Sequence, residues 1–191
     1  MNDYNKALRV IISGDRGSGK STLTSRLIKK EPEKDYISTI GVDFSSIYLP
    51  KLDLKVKIWD LGGDKRFEKI TGSYFKSGNI VLFVYSINSY DSLLRLQNLY
   101  EKYKEDGTIN DHKIIVVCNK SDLINEENIE LIKHGSDWAV CIKADFISVS
   151  AKDNTNVDGL FNTLLFKGDV NIEQKEEKED KTLSFRSCIL F

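Results

Sequence analysis

An apolar run, Val10-Ile11-Ile12, ends at Ser13 and gives way to Gly14-Asp15-Arg16-Gly17-Ser18-Gly19-Lys20-Ser21; the segment from Thr22 to Lys30 then has helical character. This order of strand, glycine-rich loop and helix, with the spacing G-x-x-x-x-G-K-[ST], constrains the fold more than any other feature of the chain. Glycines let consecutive N–H groups turn into one concave site. A helix opening near Gly19 adds the positive end of its dipole, so the site suits an anion. Gly14 to Thr22 are therefore candidate nucleotide contacts. Lys20 is placed to reach the β- and γ-phosphates and Ser21 to ligate Mg²⁺. The competing reading is a glycine turn that happens to hold a lysine, and the flanking strand and helix argue against it.

Further elements follow in alternation. Phe44 to Leu49 and Leu54 to Trp59 read as strands joined by the short turn Pro50 to Asp53, hence a hairpin. Arg66 to Phe75 is a helix candidate. Ile80 to Tyr85 is apolar throughout, as a strand covered on both faces must be. Ser89-Tyr90-Asp91 can cap a helix running to Lys104. Lys113 to Cys118 is a further buried strand. Glu126 to Val140 reads as a helix weakened by Gly135, Asp145 to Val149 as a strand, and Asn156 to Phe166 as an amphipathic helix. The pattern implies an α/β fold: a mostly parallel six-stranded sheet with one antiparallel edge strand and helices on both faces. In such sheets ligands bind beyond the carboxyl ends of the strands.

Bulk properties exclude several classes. A net charge of −1 gives no bulk attraction to nucleic acid. Cys118, Cys141 and Cys188 fit neither a zinc site nor a disulfide framework. Cys118 and Cys141 lie in or near apolar runs and are expected in the core. No apolar run approaches the length of a membrane span, and Met1 to Lys6 lack a signal-peptide core. Residues 167–187 hold five basic and six acidic side chains and few apolar ones, the composition of a linker. A domain over residues 5–167 and a hypervariable tail over 168–191 are the expected division.

Trp59-Asp60-Leu61-Gly62-Gly63 ends a strand on a carboxylate, so Asp60 can share Mg²⁺ with Ser21. The glycine pair lets a backbone N–H, that of Gly63, approach a γ-phosphate. Thr39, in Thr39-Ile40-Gly41-Val42-Asp43-Phe44, offers a hydroxyl to complete the Mg²⁺ shell. Asn119-Lys120-Ser121-Asp122 follows another strand. Its Asp122 carboxylate can accept from guanine N1–H and the exocyclic amine, a donor pair that adenine lacks at that edge. Lys120 can lay its stem over the base, and Asn119 can tie this loop to the phosphate loop. Ser150-Ala151-Lys152 would present a backbone N–H to the guanine oxygen. Each of these segments taken singly reads as an ordinary turn; their order and placement favour a nucleotide site.

With these motifs in order, the sequence resembles a Ras-superfamily small GTPase and is most similar to the Rab family. Ile40 to Phe44, Lys57-Ile58-Trp59, Arg66-Phe67 with Ile70-Thr71, and Phe83 to Ile87 resemble segments that mark Rabs. The resemblance covers about residues 7 to 166. It implies a P-loop NTPase fold, Mg²⁺ with bound GTP or GDP, and a switch in vesicle-mediated traffic. It also implies two loops, 33–44 and 62–76, that are ordered by GTP. The partners it implies are an exchange factor, a GTPase-activating protein, effectors, a prenyl transferase and a prenyl-binding extraction chaperone. It further implies a monomer at the cytoplasmic face of intracellular membranes that exchanges with cytosol.

Four positions depart from the family pattern. Asp64 stands where a glutamine usually orients the attacking water; it can accept from that water but cannot donate as an amide does. Arg16 stands where a small residue adjoins the γ-phosphate. It either stabilises charge in cis, or points to solvent or obstructs a partner's arginine. The implied catalytic set is Lys20, Thr39, Gly63, Asp64 and Arg16, with slow intrinsic hydrolysis; a GTP-binding scaffold with negligible turnover is the alternative. An ATP-using kinase is disfavoured, since Asp122 has no good adenine partner. Pro32 replaces an aromatic expected to pack over the base, with Tyr36 nearby, so exchange is expected to be faster. Ser148 replaces a common glutamate. Finally, Cys188-Ile189-Leu190-Phe191 forms a prenylation box whose Phe favours geranylgeranyl. One chain without a second cysteine implies reversible membrane attachment.

Overall fold

The computed structural model describes residues 7–32 and 38–168. Six strands form one sheet: β1 (Ala7–Gly14), β2 (Val42–Leu49), β3 (Leu54–Leu61), β4 (Ile80–Ser86), β5 (Lys113–Asn119) and β6 (Asp145–Ser148). Their order is β2-β3-β1-β4-β5-β6. Only the β2–β3 pair is antiparallel, as expected for the hairpin, and its turn is a 3-10 segment, Pro50–Leu52. Among the described residues five α-helices flank the sheet: α1 (Lys20–Leu27), α2 (Glu68–Phe75), α3 (Tyr90–Glu105), α4 (Glu130–Cys141) and α5 (Val157–Lys167).

Strand alternation divides the core into two layers. On one face, Val10 and Ile12 of β1, Val56 and Ile58 of β3 and Leu82 of β4 pack against Leu23 and Leu27 of α1 and Leu160 and Leu164 of α5. On the other, Ile11, Val81, Phe83 and Tyr85 meet Phe75 of α2, Leu93, Leu96 and Tyr100 of α3, and Leu131 and Trp138 of α4. Every residue of β4 is buried, which explains why its sequence shows no alternation. Fully burying one such side chain stabilises by about 1.5–3 kcal/mol, so the two layers hold the sheet rigid beneath its loops.

Four expectations need correction. The helix expected from Glu126 begins at Glu130. Asn125 Oδ1 accepts from the N–H groups of Glu127 and Asn128 at 3.1 and 3.0 Å, which holds the preceding residues in a turn. Gly135 does not weaken α4 but fits it to the sheet: a Cβ there would lie 2.1 Å from the Tyr85 hydroxyl. Cys141 is exposed, because the buried stripe of α4 runs through Leu131, Gly135, Trp138 and Ala139; Cys118 is buried as expected. The first helix is also shorter than expected, since Lys29 adopts a left-handed conformation that ends it. Among the described residues no helix is long and apolar enough to cross a membrane.

Candidate functional site

Four of the expected site segments lie at the carboxyl ends of parallel strands, and the fifth, Thr39 to Phe44, leads into antiparallel β2 opposite the end of β3. Gly14 closes β1, Asp60 and Leu61 close β3, Asn119 closes β5, and Ser150 follows β6. β1 sits between β3 and β4, at the point where the strand order reverses, and the phosphate loop projects from there.

The loop is built around Asp15. Its carbonyl accepts from Lys20 Nζ at 2.8 Å and from Ser18 Oγ at 2.9 Å. Its Oδ1 accepts from the Arg16 N–H at 2.7 Å and from Arg95 Nη1 of α3. Gly19 has a φ of 87°, and a Cβ there would lie 2.4 Å from Asn119 Nδ2. Position 19 therefore needs glycine for conformation and space together. Lys20 is 6% exposed, and burial pushes its pKa down against the pull of Asp60 and Asp15.

Three oxygen donors meet beside Lys20. Ser21 Oγ donates to Asp60 Oδ2 and lies 2.9 Å from Thr39 Oγ1. Asp60 is 1% exposed, and its pKa is pushed up to about 6 by burial, with the Ser21 hydrogen bond opposing. Among the described residues its Oδ1 has no hydrogen-bond partner. A buried, unpartnered carboxylate oxygen next to two hydroxyls is the hard-oxygen donor set that suits Mg²⁺. The loops carrying Thr39 and Gly63 are stitched together by the Gly62 N–H, which donates to Gly41 O at 2.7 Å. Gly63 lies flat on the phosphate loop; a Cβ would come within 2.5 Å of the Arg16 nitrogen.

The base-side loops converge on Asn119. Its Nδ2 donates to Ser18 O at 2.9 Å and its Oδ1 accepts from the N–H groups of Lys120 at 2.8 Å and Ala151 at 3.1 Å. One 1%-exposed side chain thus joins the phosphate loop to both other loops; its tie to the phosphate loop was expected, and the one to Ala151 was not. Of the N–H groups in Ser150-Ala151-Lys152, one of which was expected to face a base oxygen, that of Ala151 is engaged by Asn119. Asp122 Oδ1 accepts from Ser150 Oγ at 2.6 Å, and Lys152 Nζ stands 3.8 Å from its other oxygen. Lys120 holds a left-handed conformation, with φ of 65°.

Asp64 is where the structure departs most from expectation. Its carboxylate caps the 3-10 turn Lys65–Phe67 by accepting from the Arg66 N–H at 3.0 Å, and it pairs with Arg66 Nη2 at 2.8 Å. Hydrogen bonds from the Arg66 side chain and then its backbone pull the Asp64 pKa down to about 2. Both oxygens, which the sequence offers to a water, accept from Arg66. Arg16 is exposed, and its charge acts on Asp64 in the same direction. Pro32 follows directly on Glu31, which pairs with Arg26 of α1. Tyr36 and Cys188 lie outside the described residues.

Sequence reasoning missed Arg26, Arg66 and Arg95. Arg66 had a local signal, an acidic residue two positions earlier across a turn. Arg26 and Arg95 bond to residues 125 and 80 positions away, and their helical periodicity carries no trace of those partners.

The profile of the Ras family matches residues 9–168. The Ras-related protein Rab-11B of Dictyostelium discoideum is 36% identical over 165 residues, covering 85% of this chain and 74% of that protein. The GTP-binding protein ypt1 of Schizosaccharomyces pombe is 32% identical over 167 residues, covering 85% and 80%. The Ras-related protein RabC of D. discoideum is 30% identical over 177 residues, covering 89% and 87%.

Proposed function

The chain belongs to the Ras family of small GTPases and resembles its Rab members, and we propose that it is a guanine-nucleotide switch regulating vesicle-mediated membrane traffic. The observation that carries this reading is Asn119, which holds the phosphate loop and both base-side loops as one unit. In the proposal, Gly14 to Thr22 wrap the phosphates, Lys20 neutralises their charge, and Asn119, Lys120, Asp122 and Ser150 to Lys152 read the base. Ser21, Thr39 and Asp60 would hold Mg²⁺, which would supply neutralisation of phosphate charge. The Gly63 N–H faces the γ-phosphate. Residues 5–167 form the GTPase domain and 168–191 the tail; the end of the family match at residue 168 supports this division.

Intrinsic hydrolysis is slow in this proposal because the side chain at position 64 is a carboxylate already committed to Arg66. It cannot donate to an attacking water, and it carries negative charge near the γ-phosphate. Single-turnover hydrolysis of bound GTP tests the assignment. Asp64→Gln should raise the rate about tenfold or more if water orientation is the missing element. A fast wild type, unchanged by the substitution, would contradict it. A scaffold with negligible turnover is favoured over a slow enzyme if neither form hydrolyses GTP with an activating protein present.

The exchange factor, activating protein and effectors would read the loops around Thr39 to Phe44 and Gly62 to Phe75. Phe44 and Ile70, 53% and 58% exposed there, offer apolar anchors. A single prenyl group on Cys188, delivered by a prenyl transferase and withdrawn by an extraction chaperone, would hold the protein reversibly at intracellular membranes. Cys188→Ser should shift a tagged copy to cytosol, and unchanged membrane association would remove this part of the reading.

A further inference from the structure

Arg26 sits near the end of α1, one helix whose first residues are Lys20 and Ser21. Its guanidinium engages three partners, one through each of its nitrogens. Nε donates to Ala151 O at 3.0 Å, Nη2 donates to Lys152 O at 3.0 Å, and Nη1 pairs with Glu31 Oε2 at 2.9 Å. The side chain is 19% exposed, whereas the Glu31 side chain is 89% exposed. The two carbonyl bonds are therefore the substantial ones, and the Glu31 pair adds little.

Pinning those carbonyls fixes more than the carbonyls. In a trans peptide the C=O and the following N–H point in opposite directions. With Ala151 O drawn toward α1, the Lys152 N–H is aimed away from α1. With Lys152 O drawn the same way, the Asp153 N–H is aimed back into the loop, where it donates to Ser150 Oγ at 3.1 Å. Ser150 Oγ in turn donates to Asp122 Oδ1 at 2.6 Å. The Ala151 N–H is held from the other side by Asn119 Oδ1. Residue 151 is thus clamped at both polar groups, by Asn119 in front and Arg26 behind. The chain of contacts continues from Arg26 through Lys152, Asp153 and Ser150 to Asp122.

We propose that Arg26 is a positioning residue for base recognition, which sets how long a guanine nucleotide stays bound by orienting the 150–153 backbone and, through Ser150, the Asp122 carboxylate. This rests on the nucleotide-switch reading above. It adds a direct mechanical link along α1 between the phosphate end of the site and its base end, through a residue that touches no nucleotide.

Release of a fluorescent N-methylanthraniloyl GDP from the Mg²⁺-loaded full chain tests the proposal. Losing two charge-assisted hydrogen bonds should speed release by Arg26→Ala on the order of tenfold to a hundredfold. Arg26→Lys, which keeps the charge but cannot donate to both carbonyls in the fork geometry, should fall between; it also serves if the alanine variant does not fold. The discriminating arm uses the matching diphosphate of 2-aminopurine riboside, which lacks both the guanine oxygen and the N1–H that Asp122 accepts from. Its release should be accelerated much less by the same substitution, because a contact that Arg26 orients is already missing. Equal acceleration for both bases would reduce Arg26 to a fold-holding role and overturn the proposal, as would unchanged guanine release in both variants. A wild type that binds no guanine nucleotide would instead overturn the switch reading, and this inference with it.

Discussion

Asp64 and Arg66 show how a single position decides between chemistries. The carboxylate is paired by Arg66 on an exposed loop, and its pKa near 2 keeps it charged at every physiological pH. Arg66→Ala would remove its main partner and leave only the weaker pull of Arg16. GTP affinity should then fall a few-fold relative to GDP, the scale of one screened charge at a partly exposed site, and comparing the two dissociation constants measures it. Cys118 gives a second residue-scale prediction. Burial pushes its thiol up to about 11, so at pH 8 its thiolate fraction is about one in a thousand and rises about tenfold per pH unit until pH 11. Exposed Cys141 should be alkylated by iodoacetamide in the native protein while Cys118 stays unmodified, as peptide mass mapping would read. Both should react after denaturation.

Among the elements, α4 and the sheet beneath it set propensity against packing. Gly135 costs the isolated helix about 1 kcal/mol relative to alanine. Yet a Cβ there would meet Tyr85, a rigid ring whose hydroxyl donates to Leu131 O at 3.0 Å. The clash should win: Gly135→Ala should destabilise by about 1–3 kcal/mol, read from the midpoint of urea unfolding. The same contest explains what was legible in the sequence. Strand runs such as Ile80 to Tyr85 were clear because burial on both faces leaves a continuous apolar signal. The Ser89 cap was clear because its side chain accepts from Ser92 three residues on. Gly135 read as a weakness because its reason lies in Tyr85, fifty residues earlier. The start of α4 was misplaced because an asparagine turn and a helix cap use the same residue types.

At the scale of the molecule, the sheet order places the carboxyl ends of β1, β3, β5 and β6 along one edge of the sheet, and motif order along the chain was enough to anticipate which loops meet there. What motif order does not carry is how the loops are fastened. Asn119 was anticipated as a tie; Arg26, Arg66 and Arg95 were not, since arginines on helices and turns look alike until the fold brings a carbonyl or carboxylate to them. The central claim is that these fastened loops form one site for guanine nucleotide and Mg²⁺. Nucleotide selectivity of the Asp122→Asn variant tests it most directly. An amide at position 122 presents a donor where the carboxylate accepts, so it should reject guanine and favour xanthine, whose C2 oxygen accepts. Wild type should bind GDP and exclude xanthosine and adenosine diphosphates, and the variant should reverse the first preference by at least about a hundredfold. Equal binding of adenosine and guanosine diphosphates by wild type, or an unchanged preference in the variant, would contradict the account.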